Sequence, residues 1–161
     1  MRQWTMEYLL LKWVHIISST ILFGTGIGSA FYMLMVNRTK DFRAMHFVVR
    51  HVVIADWLFT APSVIIQLLT GLLLIQVGGH EFTDNWIYWG LVLYIFAGIC
   101  WLPVVWIQIK MRDLLAQSLE RSEDLPDSYW TMNRGWIVLG SLAFPAVVAV
   151  FYLMVFKPET L

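Results

Sequence analysis

The residues able to do chemistry in this 161-residue chain are few: four histidines, one cysteine and, among eleven carboxylates, one that sits inside a long apolar run. That carboxylate is Asp56. His15 is embedded in another such run, and a neutral imidazole there offers a nitrogen lone pair suited to iron, in the kind of helix-bundle core that commonly holds a cofactor. Lys12, one turn earlier, is placed to pair with a haem propionate near the surface. Gln67, at a similar estimated depth, is placed to orient the imidazole through its second nitrogen, as outer-shell groups commonly do. His51 is the second candidate iron ligand and His46 the third. The plainer alternatives stay open: His15 bonds a neighbouring helix, while His46 and His51 meet lipid headgroups. Asp56 is expected to pair with Arg50, Arg112 or Arg134 as a structural lock, or to carry a proton, because an ionisable group in a span demands a partner or a function. Cys100 is a packing residue.

The elements that must position these groups are legible in the composition. Of the residues, 59% are hydrophobic and only 14% charged, against about 25% charged in soluble domains. Four apolar runs, about Tyr8 to Val36, Met45 to Gln76, Trp86 to Leu115 and Thr131 to Phe156, each suffice to cross ~30 Å of hydrocarbon. The expected fold is all-α, one membrane domain over residues 1–161 built as a four-helix bundle. Pro62, Pro103 and Pro145 interrupt backbone bonding within spans two, three and four. Arg38, Lys40, Arg43 and Arg50 flank the first connection, and Lys110, Arg112, Arg121 and Arg134 the third, whereas Val77 to Asn85 has no basic residue. Basic flanks stay in the cytoplasm. Both termini are therefore expected on the outer side of a bacterial cytoplasmic membrane, and the retained first helix is not a cleaved signal. Trp4, Trp86, Tyr88 and Trp89 suit an outer aromatic belt; Trp57, Trp130 and Trp136 suit an inner one.

Helical spacing points three polar seams inward: Lys12, His15, Ser19, Gly26 and Ser29; then Asp56, Thr60, Ser63, Gln67 and Thr70; then Tyr94, Trp101, Gln108 and Arg112. Gly24 and Gly28 form a small-xxx-small pair that admits another helix. At ~1.5 Å per residue, His15 lies ~10 Å outside the midplane, His51 ~15 Å inside it and Asp56 ~7 Å inside it. One porphyrin does not easily bridge the two histidines. If both bind iron, two b-type haems are implied, and the outer one takes its second ligand from His80, a methionine or a symmetry mate, or has an open position.

The segments Leu10 to Met33, Val52 to Leu74 and Trp101 to Leu114 resemble the bacterial domain of unknown function 2269 family of integral membrane proteins. More distantly, Lys12, Trp13, Val14, His15, Ile16 and Ile17 resemble the first-helix K-x-x-H-I-[I] signature of HemJ-type protoporphyrinogen oxidases, which implies His15 as an axial ligand of haem b. CopD-type copper-resistance membrane proteins share a similar helix pattern. The leading expectation is a small b-type haem protein for electron transfer, or an oxidoreductase acting on a membrane-accessible quinone or porphyrin. The rivals are ion or small-molecule transport through Asp56, which needs a homo-oligomer, and a non-catalytic partner subunit of a membrane complex. No nucleic-acid partner is implied, because no basic stretch is long enough.

Overall fold

A computed structural model describes residues 6–159; Trp4, assigned above to the outer aromatic belt, lies outside the described residues. The chain forms α1 (Met6–Thr39), α2 (Phe42–Ala55), a π-helical turn (Asp56–Thr60), α3 (Ala61–Gly78), α4 (Asn85–Arg121) and α5 (Asp127–Phe156). Because α2, the π-turn and α3 run on as a single rod over Phe42–Gly78, there are four rods, each long and apolar enough to cross a membrane. They extend past the apolar runs at most ends: the 37 residues of α4 reach ~55 Å at ~1.5 Å each.

Local chemistry sets the breaks. Asp41 Oδ1 accepts from the backbone N–H groups of Arg43 (2.9 Å) and Ala44 (3.2 Å) and so starts α2. Gly79 takes a left-handed φ of 63° and ends α3. Pro62 has no N–H, and its ring crowds the carbonyl four residues back, Leu58; widening the helix over Asp56–Thr60 into a π-turn relieves that crowding without breaking the rod.

Packing is uneven along the bundle. Helix α1 lies chiefly on α3, α4 lies on α5, and α2 lies on α4 and α1. Met33, Met45, Val49, Met111, Leu115 and Tyr129 are wholly buried. They belong to one cluster at the end that carries the two basic connections, called the basic end below. There Asn37 Nδ2 donates to Asn133 Oδ1 (2.9 Å) and the Tyr129 hydroxyl donates to Asn37 Oδ1 (2.7 Å), tying α1 to α5. Leu, Ile, Val and Phe side chains cover the outside of the rods, where lipid replaces water as the solvent.

Two expectations need correction. The inward stripe of α1 runs through Ser18, which is buried; Ser19 bonds back to its own helix at Ile16 O, while Lys12 and Gly26 are exposed. Trp136 is a core residue, 6% exposed, and not part of an aromatic belt. Gly24 and Gly28 leave room for another helix: among the described residues a Cβ at either would meet nothing within 4 Å.

Candidate functional site

Two interhelical polar nodes stand at different levels of the bundle. The first centres on His15. Helix α1 presents His15 and Ser18, α3 presents Gln67 and Thr70, and both pairs are three residues apart, so each occupies one helix face. Gln67 Nε2 lies 2.8 Å from His15 Nε2. An amide nitrogen can only donate, so His15 Nε2 accepts and the ring proton sits on Nδ1, which donates to Thr70 Oγ1 at 2.9 Å. Thr70 passes its own hydroxyl hydrogen to Ile66 O at 2.6 Å. The Ser18 hydroxyl donates to Gln67 Oε1 at 2.5 Å, which fixes the amide's orientation. The network thus selects one neutral tautomer.

His15 and Gln67 line a cleft of ≈ 60 Å³ together with Tyr94 and Gly90 of α4 and Val150 and Met154 of α5. Two glycines back the two side chains best able to ligate a metal. A Cβ on Gly71 would come 3.3 Å from His15 Cε1, and one on Gly90 would come 2.8 Å from Met154 Cε. Across the cleft, the Tyr94 hydroxyl donates to Val64 O at 2.6 Å. An imidazole nitrogen and a thioether sulfur together form a known donor set for haem iron. The cleft is nevertheless smaller than the about 300–1,000 Å³ usual for ligand pockets. Nε2 also already has a partner.

The second node centres on Asp56, 4% exposed. Thr60 Oγ1 donates to Asp56 Oδ1 at 2.9 Å. Gln108, with its amide oriented to satisfy both neighbours, donates to Asp56 Oδ2 at 2.6 Å and accepts from Trp136 Nε1 at 3.2 Å. The expected arginine lock does not form. Among the described residues Arg112 pairs with Asp113 at 2.7 Å, and Arg50 and Arg134 are exposed. The three arginines stand nearer the basic end, while neutral donors from the π-turn and α4 reach the carboxylate first.

The remaining candidates stay apart. His51 is exposed on α2, its Nδ1 2.7 Å from Phe47 O and its ring against Phe47 at 4.2 Å, so it does not join His15. His46 is partly exposed. His80 Nδ1 lies 3.4 Å from Asp84, and its ring meets the face of Trp86. Lys12 is exposed one turn from His15. Sequence reasoning missed Ser18 and Met154. Trp101, expected in the third polar seam, has a buried Nε1 donor with no acceptor among the described residues. Among those residues no three His, Cys, Asp or Glu side chains gather as a metal site.

No functionally curated protein and no solved structure matches the chain. The likeness of α1 to haem-binding oxidases therefore rests on Lys12 to Ile17 alone. The family model described as "Predicted integral membrane protein (DUF2269)" matches residues 9–158, and the chain belongs to that family.

Proposed function

We propose that this integral membrane protein is a small b-type haem protein of the bacterial cytoplasmic membrane, with its basic end in the cytoplasm and His15 as an axial ligand. The observation that carries the reading is that His15 and Met154 face one cleft between the α1–α3 and α4–α5 pairs, each against a glycine. Haem b would supply one-electron chemistry there, for electron transfer or for oxidation of a lipid-soluble quinone or porphyrin.

The chain's own residues then have defined tasks. Thr70 accepts the Nδ1 proton and holds the ring so that Nε2 is the ligating nitrogen, the usual role of an outer-shell acceptor. Gln67 is a gate: its amide must release Nε2 before a metal can take it. Lys12 offers a cation to a propionate near the surface. The exposed His51 leaves one haem as the better reading than two. The helix pairs must also part to admit a porphyrin, and at this level the Tyr94–Val64 hydrogen bond spans the gap between them.

The test is the visible spectrum of the purified chain with and without haem supplementation. The expected result is a Soret band that is lost or strongly weakened in His15→Ala, with Met154→Leu altering the reduced spectrum. Absence of a Soret band from the supplemented wild type sinks the proposal.

A further inference from the structure

The Asp56 node has no task in a haem site on the other side of the midplane, yet it is the only carboxylate buried among the described residues. Around it α4 supplies Gln108, α5 supplies Trp136 through Gln108, and its own rod supplies Thr60. These are neutral hydrogen-bonding groups, and none of the ion pairs among the described residues includes Asp56. A carboxylate placed in this way without a counter-charge is costly in a membrane and marks a proton or ion path.

Two further observations give the path a direction. Thr60, Ser63 and Thr70 are buried on the same face as Asp56, with Gln67 between them, so a polar stripe leads from Asp56 towards His15. Over the 14 residues from Asp56 to Thr70 it covers ~21 Å at ~1.5 Å per residue, a large part of the ~30 Å hydrocarbon thickness. Facing it, Tyr94, Trp101 and Gln108 stand at seven-residue steps on α4. Tyr94 bonds α3 and Gln108 bonds Asp56, but Trp101 Nε1, between them, has no acceptor among the described residues. A buried N–H in that position calls for water.

We infer that this seam conducts protons, with Asp56 as the group that takes them up and releases them. Each transfer is an exchange of O–H and N–H bonds: an oxygen that gains a proton passes on another, and nothing is oxidised or reduced. The inference does not rest on haem, because Asp56 is no part of the lining of the His15 cleft.

The test reconstitutes the full chain, purified without haem supplementation, into liposomes containing a pH-sensitive dye, with a potassium diffusion potential as the driving force. Protein liposomes should acidify or alkalinise several-fold faster than empty ones. Asp56→Asn, which keeps the shape and loses the exchangeable carboxyl proton, should return the rate to that of empty liposomes, while Asp56→Glu keeps part of it. A hydrophobic carbodiimide on the wild type is a second route that needs no variant to fold: it should attach at Asp56, located by mass spectrometry, and block the flux. Wild-type flux equal to empty liposomes overturns the inference, and so does flux unaffected by both Asp56→Asn and carbodiimide attachment. The Soret measurement stands or falls separately.

Discussion

At His15 the competition for one nitrogen decides what the side chain does. Gln67 donates to Nε2 and Thr70 accepts from Nδ1, so the two neighbours are not interchangeable. Gln67→Leu removes a competitor for Nε2 and should raise haem affinity, read as a larger Soret band at sub-stoichiometric haem; a weaker band would mean that Gln67 helps hold the cofactor. Thr70→Val leaves the Nδ1 proton without its acceptor. Interhelical hydrogen bonds in membranes contribute on the order of 1 kcal/mol, so the thermal midpoint in detergent should fall by about 2–4 °C. His15 was legible in the sequence because an imidazole stands out in an apolar run. Ser18 was not, because Ser18 and Ser19 are adjacent and helical spacing alone does not say which of them faces α3. Met154 looks like any lipid-facing residue of α5 until Gly90 is seen against it.

Among the elements, the four rods could be read from run length, because a span must satisfy its backbone internally whatever its neighbours do. The π-turn could not. Pro62 announces a disturbance, but whether a helix kinks, breaks or widens depends on what surrounds it, and here the rod stays continuous through Asp56–Thr60. Helix pairing was equally hidden, since the small residues that mark close approach are of two kinds. Gly90 meets Met154 across the α4–α5 contact, whereas Gly98, two turns along the same helix, meets nothing within 4 Å. That difference is testable. Gly90→Leu must expel Met154 from the cleft or wedge α4 from α5, an overpacking cost of about 1–3 kcal/mol, and should lower the thermal midpoint by several degrees. Gly98→Leu should leave it nearly unchanged, and equal effects from the two would mean that α4 does not pack on α5 in this register.

For the whole molecule, charge and packing share one polarity. Arg38, Lys40, Arg43, Arg50, Lys110, Arg112, Arg121 and Arg134 gather at the end where the core is tightest, and the opposite connection offers only acidic Glu81 and Asp84. The basic end is the rigid one, where the Asn37–Tyr129–Asn133 bonds join α1 to α5, and in the proposed orientation it is also the end kept in the cytoplasm by the charge rule. In that proposed orientation the looser half, with the His15 cleft, faces outward. The orientation decides which side of the membrane the His15 cleft and the Asp56 node each stand nearer, so it bears on both proposals at once. Single cysteines at Glu123 and at Thr83, each in a Cys100→Ala background, separate the alternatives. In intact cells a membrane-impermeant thiol reagent should label the Thr83→Cys protein and spare Glu123→Cys until the cytoplasmic face is opened. The reverse pattern would turn the bundle over and place the His15 cleft on the cytoplasmic side. Labelling of both from outside would contradict the four-span topology itself, since these two connections are separated by one complete crossing.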